Sequence, residues 1–459
     1  MGPLHRFRLT LVHPCIGRRV GQSYMRSWQM EPLPCALVAG LTPRDVDIRF
    51  YDDRMEAIPY DEPTDLVAIS IETYTARRSY QIATEFRRRG VPVVMGGFHA
   101  SLCTEEVVEY AESVVVGEAE ELWEQVIDDY RHGTPKKIYR TVERPSLARS
   151  NPDRSIYGDK RYLPVALVEV GRGCKFRCEF CAIQTMFHRT YRRRPIENIV
   201  EDIRQVARRG RSKLVFFVDD NFIASPREAK EILRAITPFR IRWVSQASIN
   251  VAQDEELLRL LQQSGCAGLL IGFESLNKKN LEQMGKGFNT AGGGYEAALA
   301  ALRRHNIRLY VTFLFGYDGD SQDAFAESLA FARRHAFYIT AFNHVTPFPG
   351  TPLYQRLQDE GRLLYDSWWM DRNYSYNKIP FAPTSMTPEE LHRGCVATRR
   401  AFYSLPSILL RGLDKVNRSD LRMLQAFFPI NLMHRLEVGK RDFHPLGDVS
   451  WQGELLRAA

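Results

Sequence analysis

Val165-Ala-Leu-Val-Glu-Val170-Gly-Arg-Gly173-Cys174-Lys-Phe-Arg-Cys178-Glu-Phe-Cys181 decides how the rest of the chain is read. A short β-branched, apolar run reads as a buried strand, and the glycines after it read as a tight turn. Three cysteines then fall within eight residues. Thiolates so placed can hold three corners of a [4Fe–4S] cube and leave the fourth iron open to an outside ligand. A structural zinc site normally brings a fourth Cys or His in a second pair, and His188 is the candidate nearby. The other five cysteines (Cys15, Cys35, Cys103, Cys266, Cys395) are scattered in apolar or loop sequence and read as buried or inert thiols. In a reducing compartment, the cluster of three reads as a metal site before a disulfide framework.

Downstream, apolar strands and helical patterns alternate. Strands are predicted at Val165 to Val170, Leu214 to Val218, Trp243 to Gln246, Gly268 to Phe273, Leu309 to Phe315 and Ala341 to Val345, which gives about six βα units, a partial (β/α)6 barrel over 162–352. Upstream, Leu9 to Val12, Asp47 to Tyr51, Leu66 to Ile71, Val91 to Met95 and Ser113 to Val116 alternate with helical segments such as Ala76 to Arg89. That is the pattern of a doubly wound parallel sheet over 1–132. Residues 133–161 hold Pro135, Pro145, Pro152 and Gly158 with few periodic apolar positions and read as a linker. Residues 353–459 read as a mostly helical C-terminal region rich in Leu, Phe, Tyr and Trp.

The 459 residues carry a formal charge of +8, with 44% hydrophobic and 26% charged positions, as in globular proteins. No window approaches the ~18 consecutive apolar residues of a membrane span, and Met1 to Val12 lacks the apolar core of a secretory signal, so a cytoplasmic location is expected. The arginine runs (Arg87 to Arg89, Arg192 to Arg194, Arg208 and Arg209) sit beside periodic apolar residues. They read as solvated helix faces, and no nucleic-acid partner is expected.

The cysteine spacing CxxxCxxC, with Phe180 before the last cysteine, resembles the signature of the radical S-adenosylmethionine enzymes. The resemblance implies that Cys174, Cys178 and Cys181 hold the cluster. It also implies that the open iron is chelated by S-adenosylmethionine, whose reductive cleavage gives a 5′-deoxyadenosyl radical. At later strand ends, Phe217-Val-Asp219-Asp220-Asn221, Gly272-Phe-Glu274-Ser275 and Gly316-Tyr-Asp318-Gly319-Asp320 resemble the elements that hold the nucleoside cofactor, which makes Asp219, Asp220, Glu274 and Gly316 candidates for it. Helix capping or turn chemistry explains the same residues without a ligand. A reductant such as flavodoxin or ferredoxin is the implied partner.

A doubly wound domain ahead of such a barrel resembles the cobalamin-binding domain of the cobalamin-dependent members, over Leu66 to Asp129. The marks are Gly96-Gly97-Phe-His99 and Val116-Gly117-Glu118. Such a sheet carries its ligand at the carboxyl ends of its strands. Gly96 and Gly97 would let backbone approach the corrin closely, unless turn formation alone accounts for them. The first strand runs into His13-Pro-Cys15-Ile-Gly17, without the DxHxxG motif of other cobalamin proteins; the loop Glu72-Thr73-Tyr74-Thr75 is the candidate for the lower face. His99 reads equally as a satisfied loop histidine. In the C-terminal region, Trp368-Trp369 and Tyr374-Ser-Tyr376 fit a helical core or an apolar substrate pocket alike. The stretches Pro406 to Arg411 and Phe427 to Ile430 fit core packing better than a membrane surface.

The whole reads as a cobalamin-dependent C-methyltransferase acting on a small, hydrophobic, lipid or tetrapyrrole-like substrate. Two alternatives stand beside it: a cyclase, oxidase or rearrangement enzyme with the same cofactors, and an iron–sulfur electron-transfer or sensor protein.

Overall fold

The computed structural model describes residues 6–141, 143–210 and 214–458. The start of the chain, Met1 to His5, lies outside them. The chain divides into two compact units, one of residues 1–163, 367–376 and 443–459, the other of 164–366 and 377–442.

The first unit is built on a six-stranded parallel sheet in the spatial order Asp47–Asp52, Arg8–His13, Leu66–Ser70, Val93–Gly96, Ser113–Val116, Ile138–Arg140. Strands covered on both faces need apolar side chains on both, and Leu66, Val67, Ala68 and Ile69 are all buried. Order reverses between the first and third strands in sequence, which makes their carboxyl ends, at His13 and Ser70, the switch point where such sheets bind ligands. The helix Ala76–Arg88 docks through Tyr80, Ala83 and Phe86, as its periodicity predicts. Residues 133–161 depart from the linker expected there. Ile138–Arg140 pairs with Val114 to Val116 as the sixth strand, Tyr157 joins the core, and Leu147 is buried. Three strand residues with only Tyr139 buried leave too short a pattern to register in sequence.

The second unit carries six parallel strands in chain order, Val165–Val168, Leu214–Phe217, Trp243–Ala247, Cys266–Glu274, Arg308–Phe315 and Ile339–His344, an open barrel whose first and last strands do not pair. Val311, Phe313 and Phe315 face the helices in its core, and Tyr310, Thr312 and Leu314 take the opposite face. Helices Pro388–Phe402, Leu405–Gly412 and Leu421–Arg441 complete the unit. The last two bring Ile408, Met423 and Phe427 against Ala267 and Tyr338, where the strands begin. The C-terminal region is therefore divided: its helices serve the barrel, while 367–376 and 443–459 serve the first unit.

Candidate active site

The three cysteines lie between two short strands, Gly171–Gly173 and Tyr191–Arg193, that pair antiparallel and frame the loop and the helix Ala182–Phe187. Gly173 sits at φ +93°, and a Cβ there would stand 2.1 Å from the Thr190 carbonyl oxygen. Only glycine closes that hairpin. The loop is braced from three directions. The Glu179 amide donates to the Met284 carbonyl (3.1 Å), the Leu353 amide donates to the Glu179 carbonyl (3.0 Å), and Arg356 holds the Glu179 carboxylate at 2.9 Å. Phe176 stacks on Phe288 with ring centroids 4.0 Å apart.

All three thiols are free and half-buried. Burial pushes Cys178 up to about 12 and Cys181 up to about 11, and raises Cys174; at Cys178 the Lys286 charge opposes the rise, and at Cys178 and Cys181 neighbouring thiols add to it. Thiols so costly to ionise alone become thiolates when a bound metal centre supplies the positive charge. Among the described residues, no three Cys, His, Asp or Glu side chains stand at the spacing of single-ion ligands. Tetrahedral zinc would draw thiolates to about 3.8 Å of one another, whereas the corners of a cube hold them wider. His188 is exposed in the left-handed turn that ends its helix. The donor set fits an iron–sulfur cube with three protein corners.

Around the loop, the strand-end residues divide. Asp220 accepts from the Gly173 amide (2.7 Å), and burial lifts its pKa to about 6. Asn221, beside it, sets its side-chain amide 3.8 Å from the Cys174 sulfur. Asp219, predicted to touch the cofactor, is fully buried with Oδ1 taken by the Val170 amide at 2.8 Å; burial raises its pKa well above the carboxylate range. It clamps two strands together. Gly316 is likewise committed elsewhere. Its amide donates to Asp320 (2.8 Å), and a Cβ at its φ of +103° would meet Leu391 and Phe381 at 2.8 and 2.9 Å, so protein fills the space its missing side chain leaves.

Glu274 is buried at φ +64°, and its two oxygens accept from Lys286 Nζ (2.8 Å) and Thr312 Oγ1 (3.0 Å). Lys286 also donates to the Gly272 carbonyl at 2.9 Å. A Cβ on Gly272 would lie 2.0 Å from the Glu274 carboxylate, which accounts for the glycine two positions before the acid. Burial opposes the charge of Lys286, but Glu274 and the Cys178 and Cys181 sulfurs more than offset it, and its pKa is raised. Sequence reading missed this lysine. Its only signal is a cation in a loop twelve residues from the glutamate, with no periodicity to tie the two. Asp220, Glu274 and Lys286 thus share one electrostatic neighbourhood with the cysteines.

In the first unit, Gly97 takes φ +111°, and a Cβ would stand 2.9 Å from the Ile71 carbonyl oxygen, so backbone proximity to the neighbouring strand explains it. Gly96 has a Cβ-sized space, 3.4 Å from Val115. Thr73 is buried with its hydroxyl 3.3 Å from His99 Nδ1, and His99 Nε2 stands 3.1 Å from Glu106. That histidine is a satisfied core residue. Tyr74 is half-buried against Trp368 (4.9 Å) and Tyr376 (5.2 Å). Glu72 remains reachable by solvent, yet protein crowds it closely enough to raise its pKa. It stands at the switch point, as does half-buried His13, whose pKa burial lowers to about 3.

A family profile described as the radical SAM superfamily matches residues 168–332. The chain is 31% identical over 389 residues to the bacteriochlorophyllide d C-12(1)-methyltransferase of Chlorobaculum tepidum, covering 83% of this chain and 84% of that protein. It is 24% identical to the anaerobic magnesium-protoporphyrin IX monomethyl ester cyclase of Cereibacter sphaeroides, covering 97% and 78%. The radical S-adenosylmethionine methyltransferase TsrM of Kitasatospora setae, solved with cobalamin and a [4Fe-4S] cluster, shares the fold at a TM-score of 0.65 and 17% identity, over 95% of this chain and 100% of that one. With its cysteine loop at the mouth of an open barrel and a switched parallel sheet ahead of it in the chain, the protein belongs to the radical S-adenosylmethionine enzymes.

Proposed function

We propose that this enzyme methylates an unactivated carbon of an apolar, tetrapyrrole-like substrate in the cytoplasm, with electrons from a small reductant such as flavodoxin or ferredoxin. The observation that carries the reading is the braced loop that presents three half-buried thiols beside the Glu274–Lys286 pair. Bound to these residues, the cluster, S-adenosylmethionine and cobalamin supply one-electron chemistry and the transferable methyl group.

In this reading, Cys174, Cys178 and Cys181 hold the cluster, and the Asn221 amide near the Cys174 sulfur tunes its potential. Asp220 and Glu274 receive the polar groups of S-adenosylmethionine, with Lys286 fixing the Glu274 carboxylate before any ligand arrives. Asp219 and Gly316 drop out of that set and hold the frame. The barrel face that bears Thr312 also bears half-exposed Tyr310 and Leu314, a largely apolar wall with two hydroxyls that suits a hydrophobic substrate. In the first unit, Glu72 and Tyr74 at the switch point are the groups that would meet the corrin, with Gly96 at the edge and Gly97 set by its approach to Ile71. The tetrapyrrole class rests on the named activity of the Chlorobaculum relative.

Anaerobic reconstitution with iron, sulfide, cobalamin, S-adenosylmethionine, reductant and a chlorophyllide-type substrate tests it. The expected product is heavier by one methyl group. Substrate consumed without methyl gain favours cyclisation or oxidation, and absence of 5′-deoxyadenosine favours an electron-transfer or sensor role.

A further inference from the structure

Helices Leu405–Gly412 and Leu421–Arg441 carry leucines on the side turned away from the protein. Leu405, Leu409, Leu413, Leu421, Leu432 and Leu436 are between 40% and 72% exposed. They are organised. On the longer helix, Leu421, Leu432 and Leu436 fall with half-buried Phe428 within about 80° of one another at 3.6 residues per turn, opposite the buried Met423, Phe427 and Val438. On the shorter helix and its C-cap, Leu405, Leu409 and Leu413 follow a four-residue spacing that leaves Ile408 for the core. A Cβ on Gly412 would stand 3.0 Å from the Phe428 ring, so the two helices pack directly together. Because Ile408, Met423 and Phe427 share one inward cluster, the two outer faces share one outward direction.

Charge decides what such a face meets. Lys415, Arg418, Arg422, Arg435 and Lys440 are all exposed around it. The three acids of the same stretch are each held by an arginine: Asp414 by Arg303 (2.8 Å), Glu437 by Arg441 (2.8 Å) and Asp420 by Arg242. A leucine surface rimmed by cations alone matches an interface with anionic headgroups above acyl chains. A second copy meeting it across a two-fold axis would set cation against cation.

We propose that this helical pair docks the enzyme on the surface of an anionic lipid bilayer, with its leucines in the acyl boundary and its cations at the headgroups. No helix among the described residues is long and apolar enough to cross a membrane, so the contact is peripheral. The face lies where the barrel strands begin, at the end opposite the cysteine loop.

Sedimentation of the full chain with vesicles tests the proposal. Vesicles of phosphatidylcholine containing phosphatidylglycerol should bind it, those of phosphatidylcholine alone should bind it at least about tenfold more weakly, and added salt should weaken the anionic case. The variant Leu409→Ser/Leu413→Ser/Leu432→Ser/Leu436→Ser alters only exposed positions. It should keep its circular dichroism melt and lose binding at least about tenfold. Arg418→Glu/Arg422→Glu should do the same. Hydrogen exchange should slow within 405–441 when anionic vesicles are added to the unmodified chain. Binding that ignores lipid charge, binding that survives the serine variant, or a dimer in solution that the serine variant dissolves would each overturn the assignment.

Discussion

Glu274 occupies a left-handed backbone conformation that a non-glycine residue adopts only when its surroundings hold it there, and Lys286 is what holds it. Removing one partner of a buried pair leaves the other charge without compensation. Lys286→Met is therefore expected to cost about 3 kcal/mol in anaerobic urea unfolding, and Glu274→Gln/Lys286→Met to recover about half of that. Gly272→Ala should break the same pair from the other side, at about 1–3 kcal/mol, because its Cβ would overlap the carboxylate. Asp320 supplies a pH signature. Burial lifts its folded pKa to about 6 while its carboxylate accepts from the Gly316 and Tyr317 amides. The folded state thus binds more protons than the unfolded state between the two pKa values, and the stability contributed by this residue falls as pH rises from about 4 to 6. The stability advantage of the natural chain over Asp320→Asn should shrink by about 2 kcal/mol across that window, read by urea unfolding at each pH. Residue identity showed part of this in advance. Glycine followed two positions later by an acid at a strand end marked Glu274, whereas adjacent Asp219 and Asp220 look alike in sequence and differ only in which face of the strand end each takes.

Elements were legible where their pattern was long. The strands at Ser113–Val116 and Arg308–Phe315 carry enough β-branched and aromatic residues to fix them within a residue. The strand Ile138–Arg140 escaped because prolines surround it and pairing, not composition, makes it a strand. The helix Leu421–Arg441 was ambiguous for a different reason: apolar residues on two opposite faces blur the periodicity that would separate core from surface. At the turn after Val93–Gly96, backbone geometry sets the requirement. Gly97→Ala should cost about 1–3 kcal/mol in thermal or urea unfolding whether or not cobalamin is present, since Ile71 is what its Cβ would strike. A cost that appears only in the cobalamin-loaded protein would return Gly97 to the ligand site.

At the scale of the molecule, the chain passes back and forth between its two units, and periodicity carries no information about such returns. Trp369 shows what the return contributes: it is buried, donates to the Glu106 carboxylate at 2.9 Å and sits 5.5 Å from the His99 ring. Trp369→Ala should destabilise the first unit by about 3–5 kcal/mol, measured as loss of amide protection in Leu66–Ser70 and Val93–Gly96. His444, whose Nε2 lies 2.9 Å from the Gly17 carbonyl, ties down the other returning segment. The first unit is thus finished by segments that lie more than 200 residues further along the chain than Leu163. At ordinary translation speeds of 5–20 residues per second, a nascent chain waits roughly 10 to 40 seconds between the emergence of Leu163 and that of Trp368, with the seats of Trp368 and Trp369 bare on the ribosome. Folding order in the cell is set by where a unit closes, and this one closes only after the barrel has been made.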